Sequence, residues 1–211
     1  MINTNEWFIF VAGTIDTKTC NKIKEWASNK WETSKVETLH NGITKEERKT
    51  GLKLDFEPDS KRRVSDIAWC NEQWLYDIVW KFIHQANHEA GWRYDIKSCQ
   101  SCQITRYKKG GFYTFHTDGR GDHLSTIDNS NNPIQDGRVR KLSMSIILND
   151  NFEGGEFEFA SYNKGKCTIT PIKATTGSII VFPSSMEHRV APVTKGTRYS
   201  VVCWFLGPPF V

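Results

Sequence analysis

The chain has no long apolar run. No apolar stretch in its 211 residues approaches the roughly 20 residues that a membrane-spanning helix requires. The N-terminal residues Met1 to Glu6 also lack the basic region and the apolar region of a secretory signal. We therefore expect a cytoplasmic protein with no membrane partner. No segment of the sequence repeats, which argues against a repeat architecture.

The chain also has no strong excess of either positive or negative charge. The 28 basic and 24 acidic residues give a net charge of +4 that is spread along the chain, so no basic patch indicates a nucleic-acid partner. The 12 Phe, 8 Trp and 6 Tyr residues can fill a core, which favours a globular protein over a disordered one. At this length we expect a single domain over residues 1–211.

Familiar zinc patterns are missing as well. The six cysteines include one C-x-x-C pair, Cys99 and Cys102, but there is no second pair to complete a zinc site. If this segment is one extended strand, the two thiols point to opposite faces, so we interpret them as structural, with a redox role less favoured. His84 and His88 lie four apart, but they lack the Glu of an H-E-x-x-H motif and a third ligand. We interpret them as solvent-facing.

Two segments have the apolar spacing of helices. Asp16 is placed to cap a helix over Thr17–Trp26. Apolar residues spaced three and four apart between Trp74 and Ala86 form one broad face, which predicts a helix from about Asn71 to Glu89. Gly91 would end this second helix.

Most of the remaining sequence has the pattern of short strands separated by turns. A turn is predicted at Lys109–Gly111, and the paired glycines of Gly154–Glu156 suit a hairpin or bulge. Many short strands and few helices favour a sandwich or barrel. The predicted strands are Trp7–Ala12, Trp92–Ile96, Cys102–Tyr107, Phe112–His116, Arg140–Leu148, Glu156–Ala160, Cys167–Ile172, Ser178–Phe182 and Tyr199–Leu206.

Two segments lack a clear pattern. Thr33–Arg63 is charged, and we interpret its basic triplet Lys61–Arg63 as part of a solvated loop. Residues 119–138 are rich in Gly, Asn, Asp and Ser, which predicts a long mobile loop. We therefore expect residues 1–91 to form a supporting region of strand and helices, and residues 92–211 to form the core that carries the site.

Three side chains suit a metal. His116 and Asp118 lie two apart in a predicted strand and its end, so they point to the same side. With His188 they complete two histidines and one carboxylate, the ligand set of non-haem Fe(II) oxygenases, which leaves adjacent coordination positions open. Each residue also has a simpler interpretation: a core histidine, a carboxylate that caps a turn, and a turn histidine bonded to backbone.

A series of motifs runs along the second half of the chain, roughly from Ile104 to Phe205. Its members, in order, are Tyr107–Gly110, Tyr113, His116–Asp118, Leu148–Asn149, Glu153–Glu156, Gly177, Phe182–Pro183, His188 and Arg198–Ser200. This ordered series resembles the Fe(II)/2-oxoglutarate-dependent dioxygenases, and among them the prolyl 4-hydroxylase-like branch. Arg198 stands where collagen-type members have Lys, so the resemblance leans toward bacterial and phage members.

The resemblance implies a fold and a set of cofactors. The fold is mainly β with flanking helices (α+β): a double-stranded β-helix, or jelly roll, with the N-terminal helices packed on one sheet. The resemblance implies Fe(II) held by the catalytic residues His116, Asp118 and His188, together with O2 and support from ascorbate. It also implies 2-oxoglutarate held by Arg198, Tyr107 and Ser200, where the planar guanidinium can hold a carboxylate bidentately.

The activity implied is hydroxylation of an unactivated C–H bond, most plausibly on a prolyl residue of a peptide or protein, while 2-oxoglutarate is converted to succinate and CO2. The alternatives are the same chemistry on a free amino acid or another small molecule, and a non-catalytic binding module on the same fold. Retention of all three metal ligands and of Arg198 favours an enzyme. Trp204 stands where nucleobase-demethylating relatives have a second Arg, which counts against them.

Overall fold

The structure is a computed structural model, and it describes residues 6–37, 56–119, 126–129 and 131–210. Within these ranges, neither helix contains an apolar segment of the length needed to cross a lipid bilayer. The helices are α1 (Thr17–Ala27) and α2 (Gln73–Glu89). The strands are β1 (Phe8–Phe10), β2 (Glu32–Thr33), β3 (Val36–Glu37), β4 (Phe56–Glu57), β5 (Arg63–Val64), β6 (Asp66–Cys70), β7 (Ser98–Cys99), β8 (Cys102–Tyr107), β9 (Phe112–His116), β10 (Val139–Ile147), β11 (Glu153–Gly154), β12 (Phe157–Asn163), β13 (Lys166–Ile172), β14 (Ile179–Pro183), β15 (His188–Val190), β16 (Val193–Lys195) and β17 (Arg198–Gly207).

Most of the strands belong to two antiparallel sheets. The major sheet has the order β1-β14-β10-β17-β8-β6-β2, and β7 also pairs with β17. The minor sheet has the order β13-β12-β15-β9-β5. Two further strand pairs, β3 with β4 and β11 with β16, lie outside these sheets. Neighbours in sequence are often not neighbours in a sheet, which is typical of a jelly roll.

Strand β14 shows how the layers are held together. Its residues Ile179 and Val181 belong to the core between the major sheet and the helices. The alternating residues Ile180 and Phe182 belong to a second core between the two sheets. Because successive side chains point to opposite faces of a strand, one continuous apolar run supplies both cores. The molecule therefore has three layers: helices, major sheet and minor sheet.

Helix α1 begins and ends close to the predicted positions. The Asp16 side chain accepts a hydrogen bond from the backbone N–H of Thr19 at 2.8 Å, which satisfies one donor at the helix start. Cys20, Ile23 and Ala27 are buried at helical spacing against the major sheet. The prediction of this helix is confirmed.

Helix α2 covers the same sheet. It buries Leu75, Val79 and Ile83 completely, whereas His84 is exposed on the opposite face. The helix ends before Gly91, whose φ of 78° lies in the left-handed region. The predicted jelly-roll core with N-terminal helices packed on one sheet is confirmed. The predicted edge strand at Trp7–Ala12 is also confirmed, since β1 is the first strand of the major sheet.

The prediction of a strand at Trp92–Ile96 is wrong. The segment is irregular, and Arg93 has a left-handed φ of 57°. The side-chain amide of Asn87 in α2 donates to the backbone oxygen of Tyr94 at 2.8 Å and accepts from its N–H at 3.0 Å. The side chain of Asn87 therefore satisfies the backbone N–H and oxygen of Tyr94, which in a sheet would bond to a neighbouring strand.

The interpretation of Lys61–Arg63 as a solvated loop is wrong for Arg63. Arg63 is only 8% exposed and begins β5, which pairs with β9 through Arg63 and Tyr113. Strand β6, at residues 66–70, was not predicted either, although it pairs with β8 along its whole length. Residues 38–55 of the predicted unpatterned segment lie outside the described residues.

The predicted geometry of the C-x-x-C pair is also wrong. Cys99 and Cys102 lie on separate strands, β7 and β8, and the chain breaks its extended course between them. Cys99 packs against the core cluster that contains Cys102, between the major sheet and the helices. The two thiols of the motif therefore share one face of the sheet.

The predicted loop at residues 119–138 lies partly outside the described residues, at 120–125 and 130. In its described part the backbone N–H of Ile127 donates to the Arg138 oxygen at 2.7 Å, and the Gly137 N–H donates to the Ile127 oxygen at 2.9 Å. The end of the segment is thus a hydrogen-bonded turn that leads into β10.

The layer between α2 and the major sheet provides a test of the fold. Ile83→Ala should lower the free energy of unfolding by about 2–5 kcal/mol, since it removes buried methyl groups from a fully packed position. The matched control Ile169→Ala, on a residue 46% exposed in β13, should cost less than about 1 kcal/mol. Urea unfolding followed by circular dichroism measures both, and equal losses would contradict the assigned packing.

Candidate active site

Two adjacent strands bring the histidines together. β9 and β15 are antiparallel neighbours in the minor sheet, and their register places His116 directly opposite His188. Asp118 follows two residues after His116, just beyond the end of β9. The pairing of these two short strands thus brings His188 next to His116 and Asp118, although His188 lies 72 residues after His116 in the sequence.

The three side chains converge on one point. The Nε2 atom of His116 lies 3.7 Å from Oδ1 of Asp118, and Nε2 of His188 lies 3.6 Å from Oδ2. One ligand atom from each of the three residues lies within 4.8 Å of the other two. Among the residues that the structure describes, this is the only such group of His, Cys, Asp or Glu side chains.

The backbone fixes the orientation of both imidazoles. Nδ1 of His116 contacts the backbone oxygen of Thr114 at 2.8 Å, and Nδ1 of His188 contacts that of Met186 at 2.9 Å. A carbonyl oxygen only accepts, so each Nδ1 carries the proton and each Nε2 presents a lone pair. Both lone pairs face the carboxylate of Asp118. This concentration of lone pairs suits a cation between them.

Burial and charge agree with this protonation pattern. Burial, with help from neighbouring His188, lowers the pKa of His116 well below its usual range, so its imidazole is neutral at pH 7. Burial acts to raise the pKa of the Asp118 carboxyl, but coulombic attraction to His188 and His116 in their protonated forms, and to the guanidinium of Arg140, holds it below its usual range. The carboxylate is charged, and its Oδ2 atom is buried without a hydrogen-bond partner.

Backbone contacts hold Asp118 in place. Its N–H donates to the oxygen of Ser184 at 3.0 Å, which ties it to the end of β14. Its own backbone oxygen accepts from Nη1 of Arg140 at 2.6 Å. Arg140 is the second residue of β10, so both contacts tie the backbone just beyond β9 to the major sheet.

A buried cation lies beyond the trio. Arg198 is 1% exposed, and its Nη1 donates to the hydroxyl of Ser200 at 2.9 Å. Its guanidinium lies 5.6 Å from the ring centre of Tyr107, which is directly opposite in the register of β8 and β17. Burial lowers the pKa of the guanidinium, but arginine remains charged in proteins. Within the described ranges, no carboxylate forms an ion pair with Arg198, and its Nη2 is buried without a partner.

A glycine makes room for this arginine. Gly155 has a φ of 67°, and a Cβ atom built on it would lie 3.2 Å from Cδ of Arg198 and 2.9 Å from a methyl group of Val193. Any larger residue would press on the stem of Arg198 and would be strained in the left-handed region. The paired glycines therefore serve the site as well as the turn.

One cavity of about 540 Å³ connects these groups. Its lining includes the three metal-type ligands, as well as Arg198 with Tyr107 and Ser200. Three buried side-chain polar atoms in the described residues have no hydrogen-bond partner: Oδ2 of Asp118, Nη2 of Arg198 and Nε1 of Trp204. All three residues line this cavity. Buried polar groups are normally satisfied, so unsatisfied ones around one cavity indicate the polar atoms of missing ligands.

The outer part of the cavity also contains Trp69 and Arg63, which no sequence motif indicated. Trp69 is 44% exposed, and its ring lies 6.2 Å from that of Trp204. The Arg140 guanidinium lies 4.3 Å above the Trp204 ring. Tyr113 stacks on His116 with ring centres 3.5 Å apart, and Arg63 lies 4.7 Å from its ring. No local pattern indicates Arg63 or Trp69, since β5 and β6 reach the cavity only through pairing with distant strands.

The lone pairs of the trio predict binding of a divalent transition metal. Added Mn²⁺ or Co²⁺ should raise the melting temperature of the wild-type protein, because a ligand at a hundred times its dissociation constant stabilises by about 2.7 kcal/mol. His188→Ala should lose this shift, since it removes one of three ligands. Differential scanning fluorimetry in the absence of other metals measures both.

His84→Ala is the matched control, because His84 is exposed on α2 and outside the cavity. It should respond to metal as the wild type does. An equal loss of the metal-dependent shift in both variants would show that the metal binds elsewhere.

Comparison with known proteins gives a consistent result. The profile of the 2OG-Fe(II) oxygenase superfamily matches residues 102–206. A PKHD-type hydroxylase of Stenotrophomonas maltophilia is 31% identical over 103 residues, which are 48% of this chain and 41% of that protein. One from Synechococcus is 27% identical over 195 residues, or 90% and 74% of the two chains. The chain thus spans less than half the length of the first of these relatives.

Solved structures show the same fold. The viral collagen prolyl hydroxylase of Paramecium bursaria Chlorella virus-1, in its 2OG complex, superposes with a TM-score of 0.61 at 19% identity, covering 96% of this chain and 97% of that one. A prolyl hydroxylase from Trichoplax adhaerens, bound to a hypoxia inducible factor peptide fragment, gives 0.64 at 19% identity over 97% and 84%. The profile match spans the strands that carry His116, His188 and Arg198, and the chain belongs to the 2OG-Fe(II) oxygenase superfamily.

Proposed function

We propose that this protein is an Fe(II)- and 2-oxoglutarate-dependent dioxygenase that hydroxylates an unactivated C–H bond while 2-oxoglutarate is converted to succinate and CO2. The observation that carries the proposal is the placement of three unsatisfied buried atoms around one cavity: a carboxylate oxygen of Asp118, a guanidinium nitrogen of Arg198 and the indole nitrogen of Trp204. A metal cation would interact with the Asp118 oxygen, a small dianion would accept a hydrogen bond from Arg198, and a substrate carbonyl would accept one from Trp204.

The metal end of the cavity fits Fe(II). His116, Asp118 and His188 would hold it through two imidazole nitrogens and one carboxylate oxygen, which leaves other positions open. Bound iron, with O2 and 2-oxoglutarate, would supply the oxidising chemistry for the C–H bond. The protein keeps both imidazoles in the metal-binding tautomer through the backbone oxygens of Thr114 and Met186.

The Arg198 end fits the distal carboxylate of 2-oxoglutarate. A buried guanidinium without a counter-charge is costly, and a carboxylate would offset that cost through charge-assisted hydrogen bonds. Nη2 of Arg198 is available for such a bond, and the hydroxyl of Ser200 holds Nη1. Tyr107, 3% exposed, would direct its phenol at the same cosubstrate. These three residues set the distance between cosubstrate and metal.

Aromatic side chains exclude water from the metal end. The ring of Phe182 lies 4.6 Å from that of His188, and the ring of Phe157 stacks on it at 5.4 Å. Both phenylalanines belong to the core between the sheets. Removal of water strengthens the electrostatic interactions around the carboxylate and protects the reaction from competing ones.

The substrate that we propose is a prolyl residue in a peptide or protein. The indole faces of Trp69 and Trp204 provide apolar walls for a pyrrolidine ring, and the unpaired N–H of Trp204 can donate to a peptide carbonyl. The described ends of the two unpatterned segments, at Lys35 and Ile127, also line the cavity. We propose that the described parts of these segments contact a bound peptide.

One observation favours the alternative of a free amino acid or another small acid. The described cavity lining contains five basic residues, Lys35, Arg62, Arg63, Arg140 and Arg198, against two acidic ones, Glu32 and Asp118. A small carboxylate would be attracted to this excess of positive charge. Acidic residues that flank a target proline would be attracted as well, so an acidic peptide also suits this lining.

Succinate release tests the activity. The wild-type protein with Fe(II), O2, ascorbate and 2-oxoglutarate should form succinate. Asp118→Ala should reduce the rate by more than about a hundredfold, since even residues that only support metal ligands cost ten- to a hundredfold when they are changed. Chromatographic quantification of succinate provides the measurement. Equal rates in the wild type and the variant would remove Asp118 from the site.

The role of Arg198 can be separated from that of the metal ligands. Arg198→Gln should raise KM for 2-oxoglutarate by about 10- to 150-fold, which corresponds to the loss of a charged hydrogen bond. Arg198→Lys should recover part of the loss. Stabilisation by Mn²⁺ should be unchanged in both variants. An unchanged KM in Arg198→Gln would place the cosubstrate elsewhere.

Product mass identifies the substrate class. Peptides that contain proline should gain one oxygen atom on incubation with the enzyme, and the same peptides with alanine at the proline position should not. Tandem mass spectrometry locates the added oxygen. Oxidation of free amino acids without any peptide product would instead support the alternative substrate, and equal oxidation of proline-free peptides would contradict the prolyl proposal.

A further inference from the structure

Thiols form a row on the face of the major sheet that packs against the helices. The register of β6 and β8 pairs Cys70 with Cys102. The register of β8 and β17, which pairs Gln103 with Val202, places Cys203 opposite Cys102 on the next strand. The Cys203 thiol donates to the Cys102 sulfur at 3.4 Å. All three are completely buried. The proposed dioxygenase chemistry uses none of them.

Cys99 is the accessible member of the cluster. It lies half-buried on β7, which pairs with β17, and it packs against the core cluster that contains Cys102 and Cys203. The neighbouring thiols of Cys102 and Cys203 lower the pKa of the Cys99 thiol below its usual range, whereas burial raises the pKa of Cys203. Thiolate character and exposure, which together determine reactivity, are therefore combined at Cys99.

We propose that Cys99, Cys102 and Cys203 form a redox modification site that accepts low-molecular-weight disulfides, with Cys99 reacting first and a Cys102–Cys203 disulfide as the stable oxidised form. The simpler interpretation treats buried cysteines as small apolar core residues. It explains Cys70 and Cys20, but it does not require two directly opposed thiols in contact, with a third, partly exposed cysteine packed on the same face of the sheet. A metal site is not supported, because among the described residues only His116, Asp118 and His188 are grouped closely enough.

The reaction balances in three exchange steps. The Cys99 thiolate attacks one sulfur of the small disulfide, the S–S bond breaks, and one small thiolate leaves and takes up a proton. The Cys203 thiol loses its proton and attacks the Cys99 sulfur, which releases the second small thiolate. The Cys102 thiol then loses its proton and attacks the Cys203 sulfur, which returns Cys99 as a thiolate. Overall, two protein thiols lose two electrons and two protons, and the small disulfide gains them.

Strand geometry permits the final bond. Directly opposed residues on antiparallel strands have Cα atoms about 4.5–5.5 Å apart. Disulfides span about 4.4–6.8 Å between Cα atoms, so the bond can form without separation of β8 and β17. By contrast, Cys99 lies opposite Phe205 in the register of β7 and β17, two residues away from Cys203. Exchange should therefore move the disulfide from Cys99 to the directly opposed pair.

The site is connected to the cavity through the residues between and beside the cysteines. Gln100 follows Cys99, and its backbone N–H donates to the oxygen of Trp204 at 2.9 Å. The Gln100 side chain accepts from Nε of Arg140 at 2.7 Å. Trp204 follows Cys203 and points to the opposite face of β17, into the cavity. Oxidation of the cluster thus alters a segment that contacts the proposed substrate mouth.

Peptide mapping tests the proposal. The reduced full-length protein, free of iron and oxygen, is incubated with oxidised glutathione, alkylated under denaturing conditions and digested with trypsin. We expect peptide 98–106 linked to peptide 199–211, with fragment ions that place the alkyl group on Cys99. A protein in which Cys102 and Cys203 are alkylated, or in which the link joins other cysteines, would overturn the proposal.

Two variants test the order of events. Cys99→Ser should form the same link on the order of tenfold more slowly, since oxidant must then reach a fully buried thiol. Cys167→Ser is the matched control, because Cys167 is exposed on β13 in the other sheet, and its rate should equal that of the wild type. An equal rate in Cys99→Ser and wild type would overturn the role of Cys99. The wild-type mapping stands independently of how well either variant folds.

Discussion

The pairing of β9 with β15 is the contact on which the site depends. It sets His116 opposite His188 and brings both rings against the carboxylate of Asp118. Two imidazole lone pairs and a carboxylate repel one another when they are buried, and in the described part of the chain no cationic side chain lies between them. The fold tolerates this arrangement because backbone carbonyls, not other side chains, fix the proton on the far nitrogen of each ring. A metal ion therefore completes the structure as well as the chemistry.

The two faces of the major sheet perform different tasks. Its outer face packs on the helices through fully buried apolar residues and the row of thiols. Its inner face presents Arg198, Ser200 and Trp204 to the cavity, on alternate positions of β17. Since side chains alternate along a strand, Val201 and Cys203 belong to the helix-facing core while their neighbours line the cavity. A single strand thus connects the core, the cosubstrate end and the substrate mouth.

The sequence predicted the features that are encoded locally. Apolar alternation located most long strands, helical spacing located both helices, and the H-x-D spacing indicated a metal site. Features set by distant partners were not predictable. Arg63 reaches the cavity because β5 pairs with β9, and the Trp92–Ile96 strand fails because Asn87 binds that backbone. The Cys99 thiol shares a face with Cys102 because the chain breaks between β7 and β8, whereas the motif alone suggested one continuous strand.

The length of β17 has a consequence for how the cavity responds to thermal motion. This ten-residue strand is hydrogen bonded to β10 on one side and to β8 and β7 on the other. Strand β15 has three residues and an irregular register with β9. Opening of short, irregular elements requires less free energy than opening of a central strand. We therefore expect the Arg198 end of the cavity to be stiffer than the end that carries His116 and His188.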